Sequence, residues 1–432
     1  MKKITFLFSL LSILICGCST SPTPTPTSTL SPTTVVTPSL TPTIKPDPTT
    51  APTLPPSPTY TVQPDPTPTP TLEPSGIELP APLYFLPMGQ DADDQAVWRL
   101  DSGATTAERI TPPGIKVTSF DVWAGDGRIA YGTEDGELYV TMPGQEPRLF
   151  YAAGSRTEYP LVVDSTAWSP DGTRLAYTIT RYRASGEHPD YVKLRGLWLL
   201  TLEDEAQVQL LRNRYMDQDT RNVEDLYTVQ DAIWSPDGEA LLLKVFIWEA
   251  WDVLWLYPVA PGIDEANLHD PEGMGWGSGK WTRDGRSILL SGTSSMDRCD
   301  LVRVNRDTLV HETLIVGMSE NLCVEQAQEL PSGIVFLAQC WSCEPRGIRL
   351  YSVLQTGEGF SYEPVTTAGN LCYSTDAKWD ETGNIAALPC GQAIQLVSID
   401  GEAMLVDLTP FLDSLAGLDF AHVHVDWGAA DE

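Results

Sequence analysis

A short phrase closing on a glycine turn returns at near-constant spacing through most of this 432-residue chain, and few folds accommodate such a recurrence. It is clearest at Trp168-Ser169-Pro170-Asp171-Gly172, which runs on into the apolar residues Leu175, Ala176 and Tyr177. A second close copy is Trp234-Ser235-Pro236-Asp237-Gly238. Looser copies surround Trp123, Trp281 and Trp379, and Trp427 stands alone near the end. Successive tryptophans lie 45, 66, 47, 98 and 48 positions apart, and 98 is two repeats of 49. That gap predicts a copy without tryptophan near residue 330, where Pro331-Ser332-Gly333 supplies a turn.

Each repeat reads as four short strands. In the repeat of Trp168, Ser165–Trp168 ends an inner strand and the next residues turn. Leu175–Ile179, Leu197–Thr201 and Gln207–Leu211 follow as three outer strands. Proline second in the turn and glycine at its close suit a type I turn followed by a left-handed residue. A period of 45 to 50 residues carrying several strands is the signature of a β-propeller. Six repeats begin near residues 117, 162, 228, 276, 324 and 373. Before them, Leu83–Leu86, Val97–Leu100 and Arg109–Thr111 look like three outer strands without an inner one. After them, Val423–Trp427 is an inner strand without partners. Joined, the two ends make a seventh blade and remove an open sheet edge. The expected fold is an all-β, seven-bladed propeller over residues 81–432, with six blades as the alternative count.

The Trp-Ser-Pro-Asp-Gly phrase followed by Leu175-Ala176-Tyr177 resembles the repeat of TolB-type, WD40-like propellers. The propeller domains of prolyl-oligopeptidase-like peptidases use the same repeat. The resemblance covers about residues 82–432, with two close copies and four degenerate ones. It implies a platform for binding proteins or ligands rather than one defined reaction. TolB carries a separate N-terminal domain, and here a different kind of segment stands in that place.

Residues 1–17 read as an export signal. Lys2 and Lys3 open it, and the apolar stretch Phe6–Ile15 is too short to span a bilayer. Its end, Ile15-Cys16-Gly17-Cys18, resembles a bacterial lipoprotein signal. The resemblance implies cleavage before Cys18 and lipidation of that residue, palmitate included, since several acyl chains together anchor a protein stably. Residues 18–80 are Thr, Pro and Ser with almost no aromatic residue. Such a segment buries nothing and favours extended polyproline II, so the expectation is a disordered stalk whose threonines suit O-glycosylation. The expected location is the outer face of a bacterial membrane, with the lipid as the only membrane contact.

A formal net charge of −31, carried mostly by the folded part, repels phosphate backbones and excludes nucleic acid as a partner. Loop lengths point to the working face. The long excursions (181–195, 214–227, 249–252 and 341–346) all join strands on one side of the ring. They carry Tyr182, His188, Tyr191, Tyr215, Trp248, Trp251 and Trp341, with Trp276 beside them. These aromatics either contact a protein or carbohydrate partner or pin their own loops. On the same side, the residue three before each tryptophan reads Phe120, Ser165, Asp231, Ser278, Asp376 and His424. That is a candidate polar ring at the channel mouth, or a set of satisfied polar groups. His422, His424 and Asp426 alternate along one strand and are weak candidates for a metal.

Six cysteines follow Cys18, and an even count in an exported protein argues for disulfides. Hairpin register suggests Cys372 with Cys390 and Cys323 with Cys340 or Cys343, leaving Cys299 for the remaining thiol. Cys340-Trp341-Ser342-Cys343 also has redox or zinc spacing, without the context either needs. No Gly-x-Ser-x-Gly elbow, Walker loop or dinucleotide fingerprint is present, and no cofactor is expected. The leading expectation is a surface lipoprotein displaying its propeller as a binding module. Two alternatives stand beside it. One is a glycan-active hydrolase or lyase using channel carboxylates such as Asp231 and Asp376. The other is a TolB-like component of an envelope assembly.

Overall fold

The computed structural model describes residues 77–88, 95–153, 161–181, 193–213, 227–247, 252–259, 276–293, 299–343, 347–357, 359–365, 371–372, 377–391, 393–408 and 422–429. They form seven small antiparallel sheets arranged in a ring, a seven-bladed β-propeller. Blades 1 to 6 follow chain order, with inner strands Val117–Val122, Leu161–Trp168, Tyr227–Trp234, Trp276–Trp281, Leu322–Leu330 and Lys378–Trp379. Blade 3 has three strands among the described residues, and the others have four. Blade 7 is made from both ends of the domain. Its inner strand His422–Trp427 pairs antiparallel with Leu83–Met88, and Trp98–Leu100 and Glu108–Arg109 complete it.

Apolar burial lies in the seams between blades. Ala130 and Leu138 of blade 1 pack with Leu161, Val163, Leu175 and Tyr177 of blade 2. Leu242, Leu254 and Leu256 of blade 3 meet Trp281, Ile288 and Leu290 of blade 4. Both faces of a blade are therefore buried, and its strands read as nearly continuous apolar runs.

The recurring phrase does two jobs. Its turn is a closed hydrogen-bond circuit. Ser169 Oγ donates to Asp171 Oδ1 at 2.6 Å, Thr173 N–H donates to the same oxygen, and Arg174 N–H donates to Ser169 Oγ at 2.9 Å. Ser235 with Asp237 and Thr282 with Asp284 repeat the circuit. Gly172 and Gly238 close their turns at φ of 65° and 70°, where a Cβ would be strained. The tryptophan is a clamp between blades. Trp168, Trp234, Trp281 and Trp427 each donate the indole N–H to a carbonyl on the preceding blade's inner strand, namely those of Asp121, Ala167, Ile233 and Lys378, at 2.9 to 3.1 Å.

Blade 1 departs from the expected alignment by one residue. Trp123 N–H bonds Arg128 O just as Ser169 N–H bonds Arg174 O. Trp123 thus occupies the serine's place, and buried Val122 occupies the tryptophan's. The indole of Trp123 instead donates to Pro170 O at 3.2 Å, across the seam to blade 2.

Three disulfides form, and two differ from the register-based pairing. Cys323 bridges Cys299 of blade 4, not Cys340 or Cys343, and Cys340 bridges Cys343. The ladder explains this: Leu322 is opposite Cys340 and Cys323 is opposite Gln339, so the two cysteines point to opposite faces of the sheet. Cys372 and Cys390 are bridged within blade 6, with Cα atoms 5.5 Å apart.

Candidate functional site in the central channel

The inner strands frame a cavity of about 540 Å³. Two features of those strands fill it with polar groups. The first is a β-bulge repeated at one height. Thr118, Asp164, Gln230 and Glu325 are each the extra residue of an inner strand, and three of them line the cavity. A bulge turns a side chain out of the alternating pattern, so it delivers groups that period-two reading assigns elsewhere. The second is the residue following each bulge: Ser119, Ser165, Asp231 and Gln326. Ser119, Ser165 and Asp231 line the cavity with Ser278 of blade 4 and His424 of blade 7. The one-residue offset puts Ser119 at the three-before position of blade 1, and Phe120, expected there, also lines the cavity.

Much of this ring also stitches blades together. Ser165 Oγ donates to Asp231 Oδ1 at 2.5 Å, joining blades 2 and 3. Gln326 makes paired amide bonds to Ala377 N and O of blade 6, at 2.9 and 3.0 Å.

Deeper in the channel, toward the Ser-Pro-Asp-Gly turns, Ala167, Ile233, Lys280 and Lys378, each the residue before a tryptophan, line the cavity. Asp121 of blade 1 lines it here as well. Asp121 Oδ2 accepts the backbone N–H of Trp168 at 2.6 Å, and Asp426 Oδ2 accepts that of Val122 at 2.9 Å. Both aspartates are thus bound to the next blade by the same device. The Asp121 carboxyl also lies against that of Asp426 of blade 7. Walled in by protein except on its channel side, Asp121 holds its proton well beyond the usual carboxylate range. Burial is the main cause, the Asp426 charge adds to it, and Lys378 opposes it. Asp164 is shifted the same way by burial and by Asp231, against Thr180 and His424.

The expected site residues divide accordingly. Ser165, Asp231, Ser278 and His424 converge on the cavity. Trp341 is partly buried away from it, its backbone N–H donating to Asn321 O at 3.1 Å. Asp426 uses its oxygens on Val122 and on Trp427 N–H, and no group of three metal-ligating side chains occurs among the described residues. Cys18, Tyr182, Tyr191, Trp248, Trp251 and Asp376, and the side chain of His422, lie outside the described residues. Asp121, Asp164, Lys244, Lys280 and Lys378 are cavity residues that the spacing argument missed.

No protein-family model matches the chain, and no curated protein matches it in sequence. Solved structures sharing the shape are distant. TolB from Acinetobacter baumannii is 12% identical with a TM-score of 0.44, over 81% of this chain and 67% of that one. A prolyl endopeptidase is 11% identical with a TM-score of 0.50 over 82% of this chain, which spans 50% of that protein's length. An oligogalacturonate lyase solved with manganese is 13% identical with a TM-score of 0.48, over 77% and 87%. At these identities the likeness shows the propeller fold alone.

Proposed function

We propose that this chain is an exported, lipid-anchored protein whose propeller binds a small polar ligand in its central channel. The observation that carries the reading is convergence: bulge residues, the residues after them and the residues before the tryptophans all deliver polar groups to one cavity of about 540 Å³. Cavities of this size, roughly 300–1,000 Å³, are typical of small-molecule sites. Larger protein or carbohydrate partners would dock on the face of the long loops, where Trp341 stands. Trp168 and Trp234 line the cavity, so occupancy changes their emission. Titrating the full chain with polar metabolites and short oligosaccharides is expected to give a saturable change in that emission. Asp231→Asn, which removes the carboxylate charge and one acceptor oxygen, is expected to weaken binding about tenfold, or about 1.4 kcal/mol. Ligands that bind Asp231→Asn and Ser165→Ala as tightly as wild type would place the site elsewhere and sink the reading. The anchor is tested separately, by feeding an alkyne palmitate to a bacterial host. Label is expected on the wild-type chain and not on Cys18→Ala, and equal label on both refutes lipidation at Cys18.

One observation favours a second reading, a glycan-active hydrolase or lyase. Asp121 faces the cavity as a carboxyl whose pKa is raised by burial and by the Asp426 charge, the direction a general acid requires. Reducing ends released from polysaccharides by the wild type and not by Asp121→Asn would bring that reading forward.

A further inference from the structure

Of the three disulfides, the bridge between Cys340 and Cys343 restrains the chain least. Cys299–Cys323 joins blade 4 to blade 5, and Cys372–Cys390 links positions 18 apart in blade 6. Cys340 and Cys343 are only 3 positions apart. A cross-link restrains the unfolded chain less as its loop shortens, so this bridge contributes least to holding the fold. Its opening is also a local event. Cys340 ends its strand, opposite Leu322 on one side and Gly347 on the other, and is 3% exposed. Cys343 lies past the end of that strand, partly exposed beside exposed Ser342. An external thiolate therefore reaches Cys343 Sγ, and Cys340 Sγ is the leaving group.

The surroundings suit the open form of the bridge as well as the closed one. Ser342 Oγ lies 3.8 Å from Cys340 Sγ, and the Tyr351 hydroxyl lies 3.8 Å from Cys343 Sγ. A disulfide sulfur carries no hydrogen, so both hydroxyls are the donors. A neutral disulfide sulfur accepts weakly, whereas a thiolate is a charged acceptor, so the same two contacts strengthen once the bridge opens. Tyr351 is buried and stacked on Phe336 with ring centroids 5.2 Å apart, and that burial holds its proton on more firmly. In Cys-x-x-Cys pairs that exchange, such thiolate stabilisation comes from a helix N-terminus or a nearby cation. Here two hydroxyls stand in that place.

We propose that Cys340–Cys343 is a thiol–disulfide exchange site that takes two electrons from a dithiol. One thiolate of the dithiol attacks Cys343 Sγ, and the bond to Cys340 Sγ breaks with its electron pair leaving on Cys340. The second thiolate attacks the dithiol's own sulfur in the mixed disulfide and releases Cys343. The dithiol ends as a disulfide, and its two protons pass to Cys340 and Cys343. In the test, the folded full chain is equilibrated with dithiothreitol at graded ratios of reduced to oxidised form, alkylated and mapped by peptide mass spectrometry. Cys340 and Cys343 should open as a pair at a ratio at least about tenfold lower than either other bridge needs, or about 30 mV, with the melting temperature unchanged there. Cys340→Ser should hold glutathione on Cys343 after exposure to oxidised glutathione, and Cys343→Ser should leave the buried Cys340 unlabelled. Tyr351→Phe keeps the ring stack and removes the donor, so it should raise the pH midpoint of Cys343 alkylation in the reduced chain. Opening by dithiothreitol alone assigns a small dithiol, and opening by a reduced thioredoxin at the same potential assigns the cysteine pair of a protein. If the three bridges open together, or this one opens last or only as the chain melts, the exchange site is overturned. Equal labelling of the two cysteine variants overturns attack at Cys343, and an unmoved midpoint in Tyr351→Phe overturns the role of its hydroxyl.

Discussion

Two aspartates on neighbouring inner strands show what one residue can contribute to the whole ring. Asp121 and Asp426 each accept a backbone N–H from the next blade, and their carboxyls lie side by side with Lys378 nearby. A raised carboxyl binds its proton in the folded state over a range where the unfolded chain has lost it. Stability from this group is therefore full below the unfolded value of about 3.9 and declines as pH climbs toward the folded value. Asp171, Asp237 and Asp284 act in the opposite sense. Ser169 lowers Asp171, backbone N–H donation with Thr282 lowers Asp284, and Ser235, Glu239 N–H and Arg306 lower Asp237 against its burial. Their contribution is present above about 3.9 and lost as pH falls through their folded values. Asp121→Asn removes the first effect and keeps the second. Melting temperatures recorded against pH should decline above about pH 4 for the wild type and stay flatter for the variant. Both proteins should fall together in acid. An unchanged alkaline slope in Asp121→Asn would show that Asp121 does not carry it.

At the scale of strands and turns, what could be read in advance was whatever repeats locally. The Ser-Pro-Asp-Gly turn is a circuit within five or six residues, so its chemistry is written in the phrase itself. The blade count followed from its spacing, and the composite blade 7 from the unmatched strands at each end. Features that depend on a neighbouring blade were hidden. The tryptophan's partner is a carbonyl 47 to 67 positions away, and nothing local marks it. In blade 1 a tryptophan stands in the serine's place, so alignment on tryptophan shifted that strand by one and moved Asp121 out of view. The bulges at Thr118, Asp164, Gln230 and Glu325 break period-two alternation without any glycine or proline to announce them. That is why half of the candidate site was legible as Ser165, Asp231, Ser278 and His424, while Asp164 and the lysines were not. The Cys323 bridge was misplaced for a related reason, since its partner Cys299 belongs to the preceding blade.

The ring as a whole depends on six residues at its end. His422–Trp427 pairs along its full length with Leu83–Met88, and Val423, Val425 and Trp427 are buried among Leu83, Phe85, Ala387 and Leu396. This strand also supplies Asp426 to blade 1 and the Trp427 indole N–H to Lys378 O of blade 6. Burying each of its three apolar side chains stabilises by about 1.5–3 kcal/mol, so their removal costs on the order of 5–9 kcal/mol before any hydrogen bond is counted. A domain's whole stability is about 5–15 kcal/mol. Removing residues 422–432 should therefore abolish cooperative unfolding, and it also opens the edge of Leu83–Met88 to association with other chains. The check is a denaturant titration read by tryptophan emission, with light scattering on the same samples. A truncated chain that stays monomeric and unfolds in one sharp transition would mean that six blades and an incomplete seventh suffice, and that closure by the chain's two ends is not what holds the channel in shape.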